Sequence, residues 1–206
     1  MGLKTISLGL VLWCFSFLSF GQSTETRIAK DIDRLAHLNA LNDRACLVLA
    51  DSLFNICQEC SDSINNEVLI AKLDCHCRFT NSDSVVKELS IALHHAKQLN
   101  SYRQMVQVSE LLYTFFKKRG EVDIAEKYAI QTEQYAVLAK DTSRWLMALN
   151  NLANVTAQRS LDTALTYYQK VRRIAKDKQH YKTSLITAQQ NIGTVFAMMG
   201  RLDSAL

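Results

Sequence analysis

Apolar side chains recur along this chain at helical spacing, and the pattern itself repeats about every forty residues. Five aspartates set the register: Asp43, Asp83, Asp123, Asp162 and Asp203 follow one another at intervals of 40, 40, 39 and 41 residues. Two residues after each stands a small or β-branched side chain, namely Ala45, Val85, Ala125, Ala164 and Ala205. Beyond the first four come Leu49, Leu89, Ala129 and Tyr168, then Ser52, Ala92, Thr132 and Val171, then Ile56, Ala96, Ala136 and Ala175. Offsets of 0, 4, 7 and 11 fall on one face of an α-helix. The pattern therefore predicts a helix after each aspartate, with the carboxylate as N-cap for the first-turn amides. Small residues on that face let a neighbouring helix come close.

A second helical stretch precedes each of these. Residues 25–41 place Ile28, Ile32, Leu35 and Leu38 on one stripe, and residues 66–79 hold Val68, Leu69 and Leu73. Residues 103–119 carry Val108, Leu111, Leu112, Phe115 and Phe116, and end at Gly120. Residues 145–158 carry Trp145, Leu149, Leu152 and Val155; residues 183–199 carry Leu185, Ile192, Val195, Phe196 and Met199, and end at Gly200. Connections of two or three residues force paired helices to be antiparallel neighbours. One such hairpin cannot bury both of its apolar stripes, whereas stacked hairpins share a continuous core. Repeats are expected near 25–62, 63–101, 102–141, 144–179 and 183–206, the last incomplete because only Asp203 to Leu206 remain for its second helix. Its face with Ile192 and Phe196 then lacks a partner helix, so the chain is expected to be a fragment or to be covered there.

Composition agrees with this reading. Proline is absent, glycine occurs six times and 48% of residues are apolar, which suits long helices around a sizeable core. A net charge of +4 across 24 cationic and 20 anionic side chains makes no case for nucleic acid. Residues 1–21 stand apart. Lys4 precedes an apolar run from Ile6 to Phe20, and Ser19 and Gly21 fit a cleavage site before Gln22. Fifteen residues rise about 22 Å as a helix, short of the roughly 30 Å hydrocarbon core. The pattern reads as a signal peptide, with residues 22–206 exported to the periplasmic or extracellular side of a bacterial envelope.

The helical pairs resemble the tetratricopeptide repeat. Ile192, Gly193, Phe196, Gly200 and Ala205 meet its pattern in the last repeat, and Leu152, Ala153, Ala164 and Tyr168 in the fourth. Leu112, Phe116, Gly120 and Ala125 meet it in the third, with Tyr113 in place of a small residue. The first two repeats match poorly in their leading helices, and the period exceeds the family's usual 34 residues. The resemblance implies an all-α, right-handed superhelical array of antiparallel hairpins whose leading helices line a concave groove. It implies a protein or peptide segment as the partner, with no cofactor and no catalytic residue. Groove positions would be Gln107, Glu110, Thr114, Lys117 and Lys118, then Met147, Asn150 and Asn154, then Thr187, Gln190 and Thr194, with Asn191 between repeats. An amide both donates and accepts, which suits a peptide backbone. Equally, Asn154 and Asn191 would tie adjacent helices together. Asn150 stands where a clamp lysine would be expected, which argues against a carboxylate terminus as ligand.

Six cysteines offer sharper chemistry. Cys57-x-x-Cys60 with Cys75-His76-Cys77 supplies enough ligands for zinc, but an antiparallel fold-back holds the two groups on the order of 10 Å apart. A bridge from Cys46 to Cys75 or Cys77 fits the hairpin and an exported protein better; buried small apolar residues are the plainer reading. His94 and His95 are adjacent, so they cannot share a helix face and read as solvated. Lys117, Lys118 and Arg119 read as cations at a helix C-terminus.

Two functions follow. One is a non-catalytic binding scaffold. The other draws on the resemblance to the sensory N-terminal part of membrane-bound histidine kinases or helix-turn-helix regulators, whose effector module and membrane tether would lie beyond residue 206.

Overall fold

The computed structural model describes residues 26–41, 44–57 and 60–200. The leader at 1–21 lies outside them, as do Asp43, Asp203 and Ala205. Among the described residues all regular structure is helical: α1 (26–40), α2 (Ala45–Ile56), α3 (Asp62–Phe79), α4 (Asp83–Gln98), α5 (Tyr102–Lys118), α6 (Val122–Leu138), α7 (Thr142–Thr156), α8 (Leu161–Ala175), a 3₁₀ turn (Gln179–Tyr181) and α9 (Lys182–Met198). None of these helices is long and apolar enough to cross a membrane. The chain divides at Arg78 and Phe79 into two compact units.

In the first unit the buried face of α2 is Cys46, Ala50, Leu53 and Cys57. The forty-residue register places this face one position earlier, on Ala45, Leu49, Ser52 and Ile56; Ala45, Ser52 and Ile56 are exposed. The cause is cysteine. Cys46 and Cys57 are small and apolar enough to take the close-packed positions that alanine holds elsewhere. The α2–α3 fold-back is as expected, with Asp51 Oδ1 lying 3.2 Å from Lys72 Nζ and 3.6 Å from His76 Nε2. The cysteines pair differently from the expected bridge. Cys57 and Cys60 form the disulfide, whereas Cys46, Cys75 and Cys77 are free and buried. Cys46 and Cys75 are nevertheless in hydrogen-bond contact, and burial beside Cys46 pushes the Cys75 thiol pKa upward.

The second unit holds α4 to α9. Here the register is met: Val85, Leu89, Ala92 and Ala96 are buried on α4, Ala125, Ala129, Thr132 and Ala136 on α6, and Ala164, Tyr168, Val171 and Ala175 on α8. The face of α6 is almost wholly methyl-sized. Core volume beside it is supplied by large side chains of α5 and α7, among them Leu112, Phe115, Leu146 and Leu149, all fully buried.

Asp83, Asp123 and Asp162 are not the N-caps. Ser82 and Ser160 take that position and accept from Ser84 N and Thr163 N, while Asp83 and Asp162 lie just inside the helix. Glu121 precedes α6 without a side-chain cap bond. Within the first turn a carboxylate still favours the positive end of the helix dipole, and it is free to reach further. Asp83 pairs with Arg119, and Asp123 pairs with Arg159; each pair is separated by 36 residues in the chain. Each joins the start of one repeat's second helix to the end of the next repeat's first. Glu121 and Glu126 complete the two clusters. Exposed pairs of this kind are individually worth at most about 1 kcal/mol; they fix alignment more than stability.

A finer period underlies the forty. Asn100, Gly120 and Lys140 have φ of 50°, 75° and 55°, in the left-handed region, and stand twenty residues apart. Each closes a helix with a paired 6→1 and 5→2 hydrogen-bond motif, as in Glu121 N to Phe116 O with Gly120 N to Lys117 O. A cap follows directly: Ser101 accepts from Gln104 N and Asp141 from Arg144 N. A Cβ at such a φ costs about 1–2 kcal/mol. Replacing Lys140 by glycine is therefore expected to raise stability by about 0.5–1 kcal/mol, read as a higher denaturant midpoint with unchanged slope. Gly120→Ala should lower it by about 1 kcal/mol, through φ alone, since no atom lies within 4 Å of the added Cβ.

Candidate functional site

Helices α5, α7 and α9 are the first helices of successive repeats in the second unit, and the expected groove positions lie on them. Their N-termini are set by the Ser101 and Asp141 caps and, for α9, by the 3₁₀ turn. The α7–α8–α9 end of this row of helices rests on a core of Leu146, Leu149, Val171, Ala175 and Ala188. A second core of Ala153, Ala164, Tyr168, Ile192 and Val195 follows.

Lys117 and Asn154 are gathered around one side chain, Tyr113. Lys117 Nζ stands 5.7 Å from the centre of its ring. The phenol donates to Asn151 O at 3.5 Å and is in hydrogen-bond contact with Asn154. From the other side Tyr168 OH donates to Asn154 Oδ1 at 2.6 Å. The Asn154 carboxamide thus spans α5, α7 and α8 as a tie between repeats. Burial pushes both phenols up to about 12.

Asn150 lies one turn earlier on α7. It is 6% exposed, and its Oδ1 has no hydrogen-bond partner. Gln107 Oε1 on α5 is likewise buried and unpartnered. Unpaired amide oxygens held out of water are costly, and an incoming N–H donor would satisfy them. Thr187, Asn191 and Thr194 form one stripe of α9; the first two are half-buried, and Thr194 is exposed with its hydroxyl donating to Gln190 O at 3.1 Å.

Two features were not anticipated. Tyr113 and Tyr168 bracket Asn154; the sequence signal was the aromatic at 113 where the family pattern has a small residue. Arg144, on the first turn of α7, pairs with Glu110, so that expected groove position is neutralised from the next repeat. His94 and His95 are exposed, as read. Among the described residues no group of three or more His, Cys, Asp and Glu side chains is arranged to hold a metal ion.

No protein-family model and no curated protein matches the chain. Solved structures do. Nearly identical TPR-like repeats assigned to a kinesin light chain of Podosopora anserina superpose with a TM-score of 0.69 at 12% identity, covering 87% of this chain and 90% of that one. BtubC (BKLC) from P. vanneervenii superposes with a TM-score of 0.65 at 16% identity, covering 90% of this chain and 86% of that one. The chain has the all-α fold of a tetratricopeptide-like repeat solenoid. At these identities the likeness carries the fold alone.

Proposed function

We propose that the protein is a non-catalytic scaffold that holds an extended protein or peptide segment along α5, α7 and α9. The observation that carries this is the buried, unpartnered carboxamide oxygen of Asn150, with Gln107 Oε1 on the neighbouring first helix. The lining is mostly amide and hydroxyl, and Glu110 is neutralised by Arg144; such a surface reads a peptide main chain rather than a charged terminus. Asn191, Thr187 and Thr194 extend the same chemistry along α9, and Lys117 over Tyr113 closes its α5 side. Export under the leader at 1–21 places this scaffold on the periplasmic or extracellular side. As the N-terminal part of a longer membrane-bound histidine kinase or regulator, the same groove would serve as its sensor.

Site-specific photocrosslinking tests the groove. A benzoylphenylalanine at Met147, 44% exposed on α7, should capture a discrete partner from the exported fraction, and Asn150→Ala should abolish that capture. The same probe at Ile91 on α4, 51% exposed, should capture none of it. Equal capture at both sites would sink the groove reading.

A further inference from the structure

Consecutive helices of the second unit run antiparallel, so the α4–α5, α6–α7 and α8–α9 connections share one edge. Contacts hold this edge together. Trp145 Nε1, in the first turn of α7, donates to Glu133 Oε1 of α6 at 2.8 Å. Lys170 Nζ of α8 lies 3.8 Å from the same carboxylate oxygen and 5.1 Å from the Trp145 ring centre. Tyr181 of the 3₁₀ turn packs on the Leu146, Leu149, Val171 and Ala175 core.

Cationic charge is concentrated here. Residues 170–182 carry Lys170, Arg172, Arg173, Lys176, Lys178 and Lys182 against the single Asp177, in a chain whose net charge is only +4. All but Lys170 are exposed. Among the described residues Arg172, Arg173, Lys176 and Lys182 have no carboxylate partner. On the opposite edge Arg119 and Arg159 are each held by two carboxylates. The two preceding turns of the cationic edge add apolar tips: Leu99 and Tyr102, then Val137 and Leu138, the last two more than half exposed.

We propose that this edge docks on an anionic lipid bilayer, with the cations of residues 170–182 over headgroup phosphates and Leu99, Tyr102, Val137 and Leu138 at the hydrocarbon boundary. Helices pack about 10 Å apart, so the three turns spread over some tens of ångströms. A sheet of headgroups meets them together and offers hydrocarbon to the aliphatic tips, which an acidic protein segment does not. Basic clusters with apolar tips give reversible interfacial attachment. The edge is separate from the Asn150 groove, so a bilayer-bound array keeps that groove open.

The test is co-sedimentation of the full chain with phosphatidylcholine vesicles, with and without phosphatidylglycerol. The readout is the excess affinity for the anionic vesicles, because the apolar run at 6–20 partitions into both alike. An excess that declines with salt is expected, reduced on the order of a hundredfold by Arg172→Gln, Arg173→Gln and Lys176→Gln together. Val137→Ser with Leu138→Ser should weaken binding at unchanged charge. These positions are exposed, and an unchanged circular dichroism melt confirms that the variants fold. No excess for anionic vesicles overturns the proposal, as does an excess that the triple variant retains. Full competition by soluble polyglutamate, with the serine pair binding like the parent, also overturns it and assigns the edge to an acidic protein segment.

Discussion

Phe115→Ala is expected to destabilise the second unit by about 3–5 kcal/mol. Phe115 is fully buried and heads the largest such side chains. Its ring meets Phe116 edge-on at 5.7 Å and 84°, and Phe116 in turn lies parallel to Tyr128 of α6 at 5.6 Å. Arg119 places its guanidinium 5.5 Å from the Phe115 ring centre while holding Asp83, so the ring also supports the ion pair back to α4. The buried face of α6 is Ala125, Ala129, Thr132 and Ala136, short side chains with little reach to close a gap. In a repeat array loss of one interface is felt mainly by its neighbours. Hydrogen exchange should therefore show α4 to α6 losing protection before α8 and α9. Thr114→Ala, one residue away and exposed, should change stability by less than about 0.5 kcal/mol. A loss below about 1.5 kcal/mol for Phe115→Ala in guanidinium titration would show that the α5–α6 interface is looser than the packing implies.

The contrast between Phe115 and α2 shows how much of the fold is legible in the sequence. Where the face is Ala125, Ala129, Thr132 and Ala136, one periodicity fits and the helix obeys it. In α2 two faces compete, because Ala45, Leu49, Ser52 and Ile56 follow the register as well as Cys46, Ala50, Leu53 and Cys57 obey helical spacing. Packing chooses the second, since it buries two cysteines and Leu53 and leaves Ser52 in water. Spacing alone cannot rank them. The aspartates teach a related lesson. Asp83 and Asp123 each reach across to an arginine of the next repeat, a long-range partner that local capping preferences do not encode. The caps at Ser82, Ser101, Asp141 and Ser160, at intervals of 19, 40 and 19 residues, are ordinary capping residue types, whereas the forty-residue aspartate series points one residue further along. Side-chain roles at the expected groove positions were legible only as residue type; whether the Asn154 amide is spent inside the fold depends on tyrosines 14 and 41 residues away in sequence.

Asn154→Ala should remove about 1–3 kcal/mol, because it strands the buried Tyr168 hydroxyl and takes one of two partners from Tyr113. Tyr168 loses the acceptor at 2.6 Å, and Tyr113 loses a partner that stabilises its ionised form. The alkaline titration reports the same network. In the unfolded chain both phenols ionise near pH 10, and in the fold at about 12. Below pH 10 both states are protonated and this stability is fully present. Between pH 10 and 12 the unfolded chain has released protons that the native state still holds, so stability declines as pH rises. Absorbance at alkaline pH should show Tyr113 and Tyr168 ionising only at about 12, together with unfolding. In Asn154→Ala the Tyr113 step should move higher still, and melting should begin at lower pH. Placing Asn154→Ala in a Tyr168→Phe background should shrink its cost, since the stranded hydroxyl is already gone. An undiminished cost there would show that the tie does not run through Tyr168. Partner capture then separates the two asparagines. Asn154→Ala weakens it only as far as it loosens the array, so Tyr168→Phe of matched stability should do the same, whereas Asn150→Ala should abolish capture with little change in melting, because its oxygen is bonded to nothing in the fold.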